Sequence, residues 1–322
     1  MLMRPAHLAQ TGVSFLLLAA VFIGAAVGQV LPEAGRWLGG HIDATLLALI
    51  FLLFFGVRAD AVVTAFRNLR FIGVALLVNF LLVPPIGYGI SRLFLDMHPW
   101  MQIGLAIYFM SPCTDWFLGF TRLAGGNVAL GAALIPLNMA AQLLLYPFYL
   151  QLVSHNVVHV DAAVISDTML RWFMLPLLLA VVLSGLLSTL LGLDTLRRLQ
   201  RYADKAVPLC LALLVLEIFG ANVAVIQTHA MVFTRLLAAV FVFFAATYLL
   251  SEAVGRICRY SYPEHALLTM TVAARNAPLM LTVTMAALPG QPLIYAALVM
   301  GMLLEFPHLT VLTRLLLRAR PR

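Results

Sequence analysis

Charge is what this chain has least of. Asp, Glu, Lys and Arg make up 10% of its 322 residues, and Lys205 is the one lysine. A soluble globular domain is nearer a quarter charged. So few charges cannot clothe a water-facing surface, which excludes a large soluble helical core. Cysteine is scarce as well. Cys113, Cys210 and Cys258 have no metal-ligand spacing and suggest no disulfide framework. No nucleic-acid motif is visible, so the net charge of +7 does not point to nucleic acid. What the chain does have is apolar sequence: 63% hydrophobic residues and a mean hydropathy of +1.01. Apolar runs recur along its whole length, most of them long enough to cross a bilayer. The chain reads as an all-α polytopic membrane protein.

Ten helices are predicted, at about 11–31, 43–62, 69–92, 99–120, 127–153, 169–191, 205–225, 230–254, 263–288 and 291–315. The first lacks a convincing cleavage signal and leads a series of similar runs, so it reads as a retained helix. Pro84-Pro85 predicts a kink in the third. Basic residues set the orientation. Fifteen of the twenty Lys and Arg fall at one set of helix ends: Arg4; Arg58, Arg67 and Arg70; Arg122; Arg197, Arg198, Arg201 and Lys205; Arg256 and Arg259; Arg314, Arg318, Arg320 and Arg322. The opposite ends carry Arg36, Arg92, Arg171 and Arg235. The expectation is a multi-pass protein of the cell (inner) membrane with both termini cytoplasmic. The external loops are short and leave no room for a soluble enzyme domain.

The two halves echo each other. ALIFLLFFG at 48–56 resembles ALLVLEIFG at 212–220, an offset of 164. LLLYPFYLQLV at 143–153 resembles LLEFPHLTVLT at 303–313, an offset of 160. Five helices per half is an odd number, so the second half (161–322) must start on the opposite side from the first (1–160). That is an inverted repeat, the plan of secondary transporters that hold substrate where helices are discontinuous. Helix 4 carries the polar run SPCTD at 111–115, and its counterpart, helix 9, carries ARNAP at 274–278. Cys113 and Arg275 are 162 apart, between the two offsets.

These two runs hold the candidate site. Pro112 and Pro278 lack an amide hydrogen and should free carbonyls near Tyr108 and Ala274 for a cation, water or solute hydroxyl. Asp115 and Arg275 both fall within the membrane, where each is expensive alone. They are expected to pair or to share ligands, whether as a structural bridge or as part of a site. Cys113 reads either as a small buried hydrophobe or as a thiol facing a polar cavity with Thr114. Asn138 and Gln142, four apart, share one face of helix 5. Glu305, two residues before Pro307, is a candidate for ion or proton coupling. Asn79 and Glu217 are further polar residues within predicted helices. An enzyme would need a nucleophile, base and orienter together, and Cys113 has no histidine near its depth.

With these residues in view the sequence resembles the bile-acid:sodium symporter superfamily, in its arsenite permease (arsenic-resistance) branch. The resemblance rests on MSPCTDWFLGFTRLAGGNVALGAALIPLNMAAQLLLYP, 110–147, and TVAARNAPLMLTVTMAALPG, 271–290. It implies ten helices in two inverted five-helix repeats, with broken, crossing helices 4 and 9. It also implies a core of helices 3–5 and 8–10 moving against a panel of helices 1, 2, 6 and 7. In the arsenite branch a cysteine in the broken part of helix 4 is needed for transport, and Cys113 matches it. The polar residue of helix 9 matches as Asn276. Sodium-coupled and arsenite members usually carry a carboxylate in that crossover, whereas ARNAPLML has none and sets Arg275 beside Asn276. The arginine either stands in for a bound sodium ion or attracts an anionic substrate, and the acid's role passes to Asp115 or Glu305. The expected function is secondary active transport by alternating access, with arsenite efflux as one reading. The other is carriage of a small organic or inorganic anion, sodium-coupled or sodium-independent. Expected partners are that small solute and the lipid bilayer, with no cofactor beyond sodium or proton coupling.

Overall fold

A computed structural model describes residues 5–56, 68–114, 117–154, 175–228 and 230–320. The elements are α1 (Pro5–Val30), α2 (Pro32–Gly39), α3 (Ile42–Phe55), α4 (Leu69–Leu77), a π-helical turn (Val78–Leu82), α5 (Val83–Leu95), α6 (Pro99–Met110), α7 (Phe117–Leu123), α8 (Val128–Ser154), α9 (Leu175–Leu191), α10 (Leu193–Thr228), α11 (Ala230–Cys258), α12 (Tyr262–Ala273), α13 (Ala277–Ala287) and α14 (Pro292–Ala319). Among the described residues five helices are long and apolar enough to cross a membrane, or six if the bent pair α2 and α3 is one span. This is an all-α, multi-pass membrane protein. The short helix α2 falls between two predicted spans. The predicted span at 205–225 is the second part of a longer helix, α10, whose basic first turns extend it toward residue 193.

Two compact units form. The first comprises residues 1–57, 160–230 and 278–299. Its seam runs between α1 and α10. A Cβ added at Gly28 would stand 2.0 Å from the Gly220 carbonyl oxygen, and one at Gly24 would stand 2.4 Å from that of Leu216. Glycines four apart remove a strip of side chains, so the two backbones can touch; α10 kinks just beyond, at Asn222. Beside this seam Thr45 Oγ1 donates to the buried Glu217 carboxylate at 3.0 Å. Glu217 thus takes its hydrogen bond within the first unit.

The second unit comprises residues 58–159, 231–277 and 300–322. The expected kink at Pro84-Pro85 takes the form of the π-helical turn at Val78–Leu82. Pro84 cannot donate to the carbonyl of Phe80, and Tyr149 Oη donates to that oxygen instead at 2.6 Å. A hydroxyl from α8 thereby replaces the missing amide. At one end of this unit the Arg-bearing turns meet. Asn68 Nδ2 donates to Glu264 at 3.0 Å, Arg70 donates to the Cys258 carbonyl at 3.1 Å, and Tyr262 Oη donates to the Ala124 carbonyl at 2.7 Å.

α11 ends at this rim in a defined way. The amide of Tyr260 donates to Gly255 O at 3.0 Å, and that of Arg259 donates to Arg256 O at 3.2 Å. These are the paired bonds of a Schellman cap, which needs a left-handed residue after the last helical turn, usually Gly. Here the residue is Arg259, with φ of 53°. A side chain in that conformation costs about 1 kcal/mol relative to glycine.

Candidate functional site

The site is built where two helices stop. Ser111 precedes Pro112, and the proline ring biases it toward extended backbone. It adopts φ −114° and ψ 100° and ends α6. Ala274 ends α12 with φ −75° and ψ 141°. Pro278 does not kink a continuous helix. It stands in the first turn of α13, where a missing amide hydrogen costs least.

Both breaks leave backbone groups without helical partners, and each supplies the other. Pro112 and Arg275 face each other in an isolated antiparallel bridge. Cys113 N–H donates to Ala274 O at 3.0 Å, and Asn276 N–H donates to Ser111 O at 2.9 Å. Two strands of a few residues thus cross inside the second unit. The Ala274 carbonyl, expected to await a cation, water or solute hydroxyl, is held by the opposite break. Asn276 Nδ2 adds a side-chain bond to Thr114 Oγ1 at 3.0 Å.

Arg275 is the largest fully buried side chain among the described residues. Its guanidinium donates to the carbonyl of Phe109 at 2.9 Å, to that of Thr271 at 3.2 Å and to that of Val272. The last two belong to the final turn of α12, whose carbonyls have no helical donors and carry partial negative charge. The guanidinium also lies over the Phe243 ring, 5.5 Å from its centroid, and Phe243 stacks on Phe109 at 3.9 Å. Glu305, on α14, is buried beside it. One carboxylate oxygen accepts the backbone amide of Arg275 at 3.1 Å, and the other accepts Tyr108 Oη at 3.0 Å. Room for these rings comes from two glycines. A Cβ at Gly301 would stand 2.8 Å from the Tyr108 ring, and one at Gly87 would stand 2.5 Å from the Phe109 Cβ.

A polar shelf adjoins the last turn of α12. Thr271 Oγ1 accepts from Asn79 Nδ2 at 3.2 Å and from Asn138 Nδ2 at 3.4 Å. Among the described residues, the amide oxygens of Asn79 and Asn138, both amide atoms of Gln142 and Arg275 Nε have no hydrogen-bond partner. Each such buried group costs about 1–3 kcal/mol if nothing meets it. All five atoms lie in the second unit.

The structure therefore gathers Cys113, Thr114, Arg275, Asn276 and Glu305 around one crossing, and it sets Asn138 against Thr271 beside it. Gln142 lies on the same helix as Asn138 and is buried. Asp115, and with it the expected Asp115–Arg275 pair, lies outside the described residues. The sequence points to Tyr108 for its carbonyl and not for its hydroxyl, and it does not single out Phe243 or Thr271. Thr271 carries a readable signal, four residues before Arg275 and so one helical turn away. Phe243 carries none, because one aromatic among many in α11 does not announce its neighbour.

Buried helix breaks that satisfy each other and leave polar atoms unmet define a class: membrane carriers with discontinuous helices. The sequence signature of the Sodium Bile acid symporter family matches residues 44–235, and the chain belongs to that family. It is also similar to the Arsenical-resistance protein Acr3 of Corynebacterium glutamicum. The two are 22% identical over 318 residues, covering 94% of this chain and 86% of that protein. The chain is a secondary transporter embedded in a membrane, a transport protein and not an enzyme.

Proposed function

We propose that this transporter carries a small organic or inorganic anion and does so without a bound sodium ion, using Arg275 as a cation built into the chain. One observation carries the reading. The Arg275 guanidinium is enclosed by three backbone carbonyls, two at the break of α12 and that of Phe109 in the last turn of α6. Carbonyl oxygens are the ligands a hard cation takes in a membrane. A guanidinium that already engages them fills that role permanently; Glu305 stands beside it as a counter-charge, and Arg275 Nε is without a partner among the described residues, a donor open to an anion. Thr114, Asn138, Gln142 and Asn276 supply neutral hydrogen bonds around it. Glu305, and Asp115 from the undescribed part of the break, are the acids assigned to coupling by a proton or another ion.

The wider plan is ten helices in two inverted repeats, with a core of helices 3–5 and 8–10 and a panel of helices 1, 2, 6 and 7, working by alternating access. The crossing supports it. Thr114 and Asn276 are bonded and 162 positions apart, the offset at which Cys113 and Arg275 correspond. Repeat-related residues touch near an axis relating two inverted halves. The arginine distribution supports an orientation with both termini on the cytoplasmic side of the inner membrane.

Arsenite efflux is the second reading. It is favoured by the buried thiol of Cys113 at the crossing and by the likeness to the arsenical-resistance protein of Corynebacterium. Arsenite, a neutral trihydroxide near pH 7, would use hydroxyl and amide partners plus a thiol contact.

Flux into proteoliposomes separates these readings. Arsenite is compared with a panel of carboxylates and inorganic anions, in sodium and in choline. The anion reading expects uptake of a panel member that is unchanged in choline. Strict sodium dependence overturns the role given to Arg275. Arsenite flux that is lost in Cys113→Ser would replace the anion reading with the second one.

A further inference from the structure

We propose that the Arg-rich end of the second unit holds an anionic phospholipid by its phosphodiester headgroup, at a pocket separate from the transport site. A cavity of about 290 Å³ opens there, lined by Glu252, Arg256, Arg259, Tyr260, Tyr262 and His265. Two more arginines stand at its edge. Arg320 lies over the Tyr262 ring at 5.5 Å, and Arg70 is tied to the Cys258 carbonyl. Glu252 is already engaged, 3.4 Å from Arg256 and 3.2 Å from His265. Glu264 is engaged as well, accepting from the amide and hydroxyl of Ser261 and from Asn68. Four arginines against two committed glutamates leave a positive cavity, and a basic pocket at the membrane boundary fits an anionic headgroup.

The backbone gives the second observation. Arg259 occupies the left-handed position of the α11 cap, where glycine closes the helix at no steric cost. Strain kept at one residue points to a use for its side chain. Arg259 lines the cavity, and among the described residues no ion pair or hydrogen bond is seen for its guanidinium.

A third observation selects a lipid over a free anion. Ile257, between Arg256 and Cys258, is 79% exposed, and Leu249, about two turns back along α11, is 65% exposed. In a membrane protein these side chains meet acyl chains. Guanidinium groups at the rim with exposed aliphatic side chains descending from it match a phosphodiester with its tails.

The test is thermal stability of the purified full chain in detergent. It is titrated with phosphatidylglycerol, with phosphatidylcholine and with inorganic phosphate. Phosphatidylglycerol is expected to raise the midpoint by about 3–5 °C over phosphatidylcholine, as a ligand of the folded state does. Arg259→Gly keeps the cap geometry and removes the guanidinium. Its midpoint in phosphatidylcholine should equal or exceed that of the natural chain, while the phosphatidylglycerol increment falls by at least half. Arg256→Gln should reduce the increment too. Arg92→Gln, at a helix end outside the cavity, should not. A full increment in Arg259→Gly, or equal protection by inorganic phosphate, overturns the proposal.

Discussion

The α1–α10 seam and the crossing of residues 111–114 with 274–276 both bring backbone against backbone inside a membrane protein, and they do it by opposite means. At the seam the chains run on as helices, α10 with a kink at Asn222 whose side chain donates to the Ile218 carbonyl at 2.9 Å, and approach is won by removing side chains at Gly24, Gly28 and Gly220. At the crossing the helices stop. Backbone groups become available, and each break satisfies the other through Cys113, Ala274, Ser111 and Asn276. Side chains stay, including Arg275, the largest fully buried one among the described residues. The seam brings backbones together by leaving out side chains. The broken pair frees carbonyls that then hold a buried guanidinium, with unmet polar atoms beside them among the described residues. The second arrangement is the one to which we assign the proposed solute site.

The sharpest way to break the comparison is at the seam. Gly28→Val places a branched side chain where even its first carbon would lie 2.0 Å from the Gly220 carbonyl oxygen. Backbone cannot move aside as a flexible side chain can. We expect a loss of about 3 kcal/mol or more, at the upper end for overpacking. The readout is fluorescence-detected size-exclusion chromatography of detergent extracts. The folded peak should be largely lost, and a natural-yield monodisperse peak would show that the seam is not tight.

Next in size is Arg275→Leu. It leaves the carbonyls of Phe109, Thr271 and Val272 without their donor and removes the positive charge beside Glu305. We expect a loss of about 2–3 kcal/mol in the folded state and no measurable flux. Arg275→Lys should fold better than Leu, yet recover little flux. One ammonium group cannot span three carbonyls with the planar fork of a guanidinium. Flux equal to the natural chain in the Lys variant would count against the built-in cation.

Much of this comparison is legible in the amino-acid sequence. The broken runs SPCTD and ARNAP stand out because proline and polar residues are costly in an apolar stretch, and their positions near the middle of predicted spans mark the site. The partners of Arg275 are not legible. Backbone carbonyls carry no sequence signal, and the sequence offers only acids as candidates for its charge. Glu305 stands out as an acid within a predicted span, but its bond to the Arg275 backbone depends on how α14 lies against the break. Nor does the spacing distinguish a bent helix at Pro84 from the π-helical turn, because Tyr149 supplies the missing donor from sixty-nine residues away. The short helix α2 is too brief and too polar for a pattern tuned to spans.

A smaller effect tests how far the two breaks depend on each other. Thr114→Val and Asn276→Ala each remove one end of the 3.0 Å bond between them. In a double-mutant cycle the two should be non-additive by about 1 kcal/mol, the worth of one buried neutral hydrogen bond. Apparent melting of the purified chain reports the stability. Additive losses would mean that the side chains serve the solute separately and that the backbone bridge alone joins the breaks.

The smallest effect is the coupling between the charge and the ring over it. Phe243 stacks on Phe109 and covers the guanidinium at 5.5 Å. Phe243→Leu keeps an apolar side chain there and removes the aromatic face. The carbonyls should still hold the guanidinium, so flux should persist, with a stability loss of about 1–2 kcal/mol from weaker packing and the lost cation–π contact. The same change in an Arg275→Leu background should cost less, by roughly 0.5–1 kcal/mol, because no cation remains to face the ring. Equal costs in the two backgrounds would assign Phe243 to packing alone. A larger difference, with flux lost in Phe243→Leu, would mean that the ring, and not the three carbonyls, fixes the charge at the crossing. The broken pair would then owe its buried cation to a third helix, α11, and the contrast with the seam would rest on an aromatic side chain instead of on freed backbone.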